Sequence, residues 1–311
     1  MRPVKTWSTP VNAEEKNLVP CTLCGGTKFK ASFSCDGFSY VRCVSCSLVQ
    51  INPQPLEREI SERYNVRFGG DYLSYELANE KVFLNLQLLA LKDVNFWELE
   101  EKLIKNRSNA APGKKMRILD IGCATGSLLA LLSERGWETT GVEISAPQAE
   151  YGCSTRKVDI RKLSLEENHF PDEYFDVILA SHLIEHLNDP GAMAGEVSRI
   201  LAPGGSFFVT TPNIAGFQAL VFKGRWRSAI FDHLYLFSKK TLKKLLTKKG
   251  FTIEKTATWG GLAAGTAPLF LKCIADRMVK WFGGGDVMII RAVKLAFPQE
   301  PHHVKCGHAN K

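Results

Sequence analysis

The stretch RILDIGCATGSLLALL, residues 117–132, decides the fold. A short stretch that reads as a buried strand, Met116–Ile121, meets a glycine-containing loop. Leucines then recur at helical spacing over Ser127–Arg135, with Gly136 placed to stop the helix. Strand, tight loop and helix in that order open a βαβ unit. Gly122 and Gly126 let the backbone turn sharply and approach a ligand, and the helix behind them presents free N–H groups. Glu143 closes the next expected strand, Glu138–Glu143, 21 residues beyond Gly122. A carboxylate there suits the two hydroxyls of a ribose, so a nucleoside ligand is expected.

The same alternation runs on from this unit. Further strands are expected over Lys157–Arg161, Tyr174–Ala180, Ser206–Thr211, Phe251–Thr258 and Val287–Lys294. Helices are expected from Ser145 with Pro147 in the first turn, over Gly191–Leu201, and over Lys239–Lys249 capped by Ser238. Pro203-Gly204-Gly205 reads as a turn into the fifth strand. The fold class is therefore α/β, a Rossmann-like, doubly wound and mostly parallel sheet whose ligand binds at the carboxyl ends of the strands.

Charge selects among nucleosides. A dinucleotide loop reads G-x-G-x-x-G and seats a pyrophosphate at the helix end. Here the middle glycine is Ala124, and Asp120 stands immediately before the loop. A carboxylate in that place repels pyrophosphate and attracts an ammonium. S-adenosylmethionine carries an ammonium and a sulfonium but no phosphate.

The segments ILDIGCATG, GVEIS, FPDEYFDVILASHLIEHLNDP, LAPGGSFFVTTPN and DHLYLFSKKTLKKLLTKKGF follow one another between residues 118 and 251. Together they resemble the successive motifs of class I S-adenosylmethionine-dependent methyltransferases. The resemblance covers residues 116–258 and is nearest to the branch of ubiquinone-type O-methyltransferases and bacterial small-molecule or sugar methyltransferases. It implies a seven-stranded sheet. It also implies cofactor contacts from Asp120, Gly122, Cys123, Gly126 and Ala180, a ribose contact from Glu143, and adenine contacts from Ser164 and Leu165. The family often carries G-x-G-x-G, so Ala124 departs from its pattern, and LSLEEN stands where an Asp is frequent.

Cys21-x-x-Cys24 and Cys43-x-x-Cys46 are separated by 18 residues. Two such knuckles supply four thiolates, a closed tetrahedral set for a structural Zn²⁺. Short β-like runs over Thr27–Phe33, Phe38–Arg42 and Leu48–Ile51 make a zinc ribbon of residues 20–55, with Cys35 as a bystander. Residues 56–112 read as a mainly helical linker or cap, and 113–296 as the methyltransferase domain. A helix over 262–282 is expected as an insert, as lid, dimer contact or membrane-surface element. Residues 1–19 and 297–311 are expected to be flexible ends.

His182-Leu-Ile-Glu185-His186 matches H-x-x-E-H in form, but it follows a buried strand and Asn188-Asp189-Pro190 breaks the chain soon after. It therefore reads as the loop after the fourth strand rather than a zinc-binding helix. His182, His186 and His233, the last in FDHLYLFS, are the candidate acceptor-orienting groups or bases. Arg225, Trp226 and Arg227 read either as a grip on an anionic or sugar-like acceptor or as solvated arginines around a packing tryptophan.

The chain has 311 residues, a formal charge of +8, 45% apolar residues and 23% charged ones, an ordinary soluble composition whose basic excess is spread along its length. Without an apolar leader or a transmembrane run, and with four of the nine cysteines clustered for metal rather than disulfides, a cytoplasmic protein is expected. Only Lys28, Lys30 and Arg42 lie between the knuckles, so a nucleic-acid role is weakly supported. The expectation is methyl transfer to oxygen of a small molecule or saccharide. Transfer to carbon, a non-catalytic scaffold and a nucleic-acid binder are the alternatives. Peripheral membrane contact stays open, as does oligomeric state.

Overall fold

The structure is a computed structural model and describes residues 18–35, 37–56, 71–110, 114–260, 279 and 282–295. Most of the expected insert helix 262–282, the histidine-bearing tail and residues 57–70 of the linker lie outside the described residues.

Five strands run parallel: β4 (Arg117–Ile121), β5 (Glu138–Val142), β6 (Asp159–Arg161), β7 (Phe175–Ser181) and β8 (Leu201–Pro212). Two more, β10 (Phe251–Trp259) and β11 (Val287–Lys294), complete a seven-stranded sheet of order β10-β11-β8-β7-β4-β5-β6, in which β11 is antiparallel to both neighbours. The order reverses at β4, and that reversal opens the ligand crevice at the strands' carboxyl ends. Register places Asp120 between Gly141 and Leu179, and Ile121 between Val142 and Ala180.

Both faces of the sheet are covered, which explains why β4 and β7 are mostly apolar on both faces. Ile118, Val177, Leu179, Phe208 and Ile289 face one layer, packed on α1 (Asp71–Asp93), α2 (Phe96–Ala110) and α3 (Ser127–Glu134). The expected linker is thus part of the core: buried Glu100 of α2 accepts from Trp137 Nε1 at 2.8 Å and pairs with Arg135. Leu119, Ile121, Ile178, Phe207 and Met288 face the other layer, packed on α5 (Pro190–Ile200) and α7 (Lys239–Lys248). The side chains of Ser238 and Thr241 cap α7 reciprocally. Ser145 precedes α4 (Ala146–Tyr151), but its hydroxyl meets the Gln148 side chain instead of capping the backbone.

Pro203-Gly204-Gly205 lies within β8 rather than before it. The β7–β8 pairing passes from Phe175↔Leu201 to Val177↔Ser206, so the extra residues are absorbed as a bulge, with Gly204 at φ +74°.

The cysteine module forms an antiparallel ribbon, β1 (Phe29–Cys35), β2 (Phe38–Cys43) and β3 (Val49–Ile51). A fourth strand, β9 (Tyr235–Leu236), comes from the α/β portion of the chain and pairs with β3. Ribbon residues Tyr40, Leu48 and Ile51 share one buried cluster with Leu234, Phe237 and the sheet. Tyr40 Oη reaches the carbonyl oxygens of Ile230 (2.6 Å) and His233 (3.0 Å), and Lys248 Nζ donates to Leu23 O at 2.7 Å. The ribbon is therefore a buttress for residues 228–237.

Candidate active site

The glycine loop is built around left-handed backbone: Gly122, Ala124 and Gly126 have φ of +73°, +51° and +72°. A Cβ on Gly126 would stand 2.8 Å from Val158 Cγ2, so glycine is required there by space as well as by dihedral. Ala124 adopts its positive φ because its N–H donates to Glu143 Oε2 at 3.0 Å, while Ser145 N–H donates to Oε1 at 2.8 Å. Glu143 thus ties the loop to the end of β5 and keeps further acceptor capacity on its two oxygens. Cys123 turns its sulfur inward among Leu129, Val158 and Ile160, leaving its backbone to the loop.

A third carboxylate, not foreseen in the sequence, reaches the loop from α1. Glu76 Oε1 accepts from Thr125 N (3.0 Å) and Thr125 Oγ1 (2.8 Å), while its other oxygen is buried with no hydrogen-bond partner among the described residues. Forty-nine residues separate the two, so no local pattern announces the contact. Glu76, Asp120 and Glu143 are all held above the usual carboxylate range, chiefly by burial. Asp120 is pushed up to about 7, and the charge of Glu143 adds to its burial. A site crowded with buried carboxylates favours a cationic ligand.

Ala180 is buried between Ile121 and Val209 in the sheet. Leu165 is buried and Ser164 is half-buried in a turn, where its hydroxyl accepts from Glu167 N at 3.3 Å.

The loop after β7 meets the glycine loop directly, since a Cβ on Gly122 would lie 3.5 Å from Leu183 Cδ1. His182 sits at φ +52°, its N–H donating to Thr210 O at 2.9 Å. Its ring is half-exposed, with Nδ1 at 3.3 Å from Oε1 of fully buried Glu185. Thr211 Oγ1 donates to Glu185 Oε2 at 2.8 Å. Burial pushes the Glu185 carboxyl up, but His182 beside it, with His186 and His233 near, outweighs that and holds it down at about 2.

His186 and His233 stand edge to face with ring centroids 4.6 Å apart. His186 Nδ1 lies 2.9 Å from Asp232 O, and His233 Nδ1 lies 2.8 Å from Ser228 O. Carbonyls only accept, so both neutral rings carry the proton on Nδ1. Burial pushes His233 down to about 4. Of the three histidines, His182 is the most exposed, and its Nδ1 faces a carboxylate. Trp226 is buried as a packing group, and Arg227 Nε faces Asp286 at 3.6 Å.

In the ribbon, the sulfurs of Cys21 and Cys46 are 3.4 Å apart and those of Cys24 and Cys43 are 3.5 Å apart, with no disulfide among them. All four converge on one point. A Cβ on Gly26 would lie 3.3 Å from Cys24 Sγ and 3.4 Å from Cys43 Sγ, so the turn leaves space for the sulfurs alone. Cys35 stays outside this cluster, its thiol donating to Ala229 O at 2.8 Å.

Comparison with known proteins agrees with this geometry. Residues 96–256 match the family model described as a methyltransferase domain. A protein named probable S-adenosylmethionine-dependent methyltransferase from Mycolicibacterium smegmatis is 30% identical over 168 residues, 53% of this chain and 63% of that protein. The mitochondrial ubiquinone biosynthesis O-methyltransferase of Rattus norvegicus is 28% identical over 189 residues, 55% of each chain. The alignment thus spans less than two thirds of either relative. A crystal structure of a methyltransferase from Thermotoga maritima has the same fold, with a TM-score of 0.53 at 21% identity over 76% of this chain and 99% of that one.

Proposed function

This chain belongs to the methyltransferase-domain family, and we propose that it transfers a methyl group from S-adenosylmethionine to a hydroxyl oxygen of a small molecule or saccharide. The observation that carries the cofactor is the acidic lining of the glycine loop. Glu76, Asp120 and Glu143 are buried together, and a cationic ligand relieves their repulsion where a pyrophosphate would add to it. When bound, S-adenosylmethionine supplies the electrophilic methyl group. Glu143 would hold the ribose, Asp120 and Glu76 the ammonium end, and Ser164 and Leu165 the adenine.

His182 is the proposed base. Glu185 fixes its ring through Nδ1, which leaves Nε2 to take the acceptor's proton. The contact between Leu183 and Gly122 sets the loop that carries His182 against the glycine loop. Aligning two bound partners contributes much of the rate in such a displacement.

The four ribbon cysteines are proposed to bind a structural Zn²⁺ that has no open position. Unpaired thiols suit a reducing compartment, and we place the protein in the cytoplasm. Among the described residues no helix is long and apolar enough to cross a membrane.

Incubation with methyl-tritiated S-adenosylmethionine and a panel of hydroxylated aromatics and saccharides tests the reaction. Label in an ether linkage of the product supports it. Label on carbon or nitrogen alone contradicts O-methylation.

A further inference from the structure

We infer a second metal site, distinct from the cysteines, at Glu185, His186 and His233, taking a first-row divalent cation with nitrogen and oxygen ligands. The inference rests on the functional reading above, because it places the ion on the acceptor side of the cofactor loop.

One ligand atom from each of the three residues lies within 4.8 Å of the others. Divalent ions hold imidazole nitrogen and carboxylate oxygen at about 2.0–2.2 Å, so these atoms need draw in by only about an ångström. Both rings are prepared for the task. Each donates its Nδ1 proton to a backbone carbonyl, Asp232 O or Ser228 O, which fixes the tautomer and turns the Nε2 lone pair free. The carboxylate is prepared as well: Thr211 anchors Oε2, while fully buried Oε1 has, among the described residues, only the long 3.3 Å approach of His182 Nδ1. A cation completes the pairing of a buried carboxylate oxygen held by so long a contact.

Two histidines and one carboxylate fill three positions and leave others open, the arrangement of a catalytic rather than a structural metal. The ligand set is not the H-x-x-E-H run, since His182 is outside it and His233 comes from 47 residues beyond His186. His182 stands at the edge of this group, its Nδ1 3.3 Å from Oε1. The ribbon enters here too, because Tyr40 binds the carbonyl of His233 itself. An acceptor with two neighbouring oxygens, such as a vicinal diol or catechol, fits an ion with more than one open position.

The full-length protein with its cysteine site filled by zinc is titrated with Co²⁺ and followed by visible absorption, calorimetry and metal analysis. One equivalent of Co²⁺, with weak d–d bands and no thiolate charge transfer, is expected. Glu185→Gln, His186→Gln and His233→Gln should each weaken it at least tenfold, and any variant that keeps the wild-type melting curve suffices as the test. Failure to bind Co²⁺, entry only with thiolate bands, or equal binding by a folded variant overturns the site. S-adenosylhomocysteine titrated in the same samples separates the outcomes: its binding without Co²⁺ binding removes the metal alone, and loss of both removes the cofactor reading.

Discussion

His182 Nδ1 lies 3.3 Å from Oε1 of Glu185, and the two differ as sharply in exposure as neighbours can: the imidazole is half-open to solvent and the carboxylate is fully buried. The pair has the build of an oriented base, with the orienting group sealed and the working nitrogen accessible. His182→Ala is predicted to lower kcat by about 10²–10⁴-fold. Binding of S-adenosylhomocysteine should stay within a factor of two. A parallel loss of both would show His182 to be structural.

Asp120 links cofactor affinity to pH. Its carboxyl is raised to about 7 by burial and by Glu143, so below that pH the empty site holds a proton that an ammonium ligand must displace. Affinity for S-adenosylhomocysteine should therefore rise roughly tenfold between pH 5.5 and 7. The same raised value means that the empty protein loses stability as pH climbs through about 7, because the folded state binds the extra proton. In Asp120→Asn both slopes should flatten. Calorimetry and thermal melting at a series of pH values check this.

Gly126→Ala should destabilise the protein. The residue sits at φ +72°, and the new methyl would meet Val158 and Ile160 side chains at 2.8 and 3.0 Å. Overpacking and dihedral strain together cost about 2–4 kcal/mol. Chemical denaturation should show a lower midpoint with an unchanged slope. A neutral result would mean that the loop is looser than described.

Removing the proposed metal from the ribbon should reach the segment around His233 through β9, which pairs with β3. A loss on the order of 5 kcal/mol lowers the melting temperature by roughly 10–20 °C. Activity should fall in the same titration, while S-adenosylhomocysteine affinity changes little. Full activity in a cysteine-free ribbon variant would refute the buttress.

Much of this architecture was legible because it is local. Apolar runs bounded by glycines gave the strands, Gly122 and Gly126 marked the loop, and paired C-x-x-C spacings marked the ribbon. The long-range contacts were silent. Glu76 meets Thr125 across 49 residues from an ordinary-looking helix. A two-residue strand such as Tyr235–Leu236 has no periodicity to detect, so its pairing with β3 was invisible. His186 and His233 were each seen as candidates, but their convergence on Glu185 depends on how the ribbon presses residues 228–237 against the loop after β7.

Titration of the wild type and Glu143→Ala with S-adenosylhomocysteine, and with NAD as control, is the sharpest test of the glycine-loop site. Micromolar-range binding of the sulfur nucleoside is expected for the wild type, and at least a hundredfold weaker binding for Glu143→Ala, where the proposed ribose contact and the hydrogen bonds to Ala124 and Ser145 are lost together. NAD should not bind. Binding of NAD in preference, or no binding of the sulfur nucleoside, would contradict the reading of the glycine loop and the methyltransferase function with it.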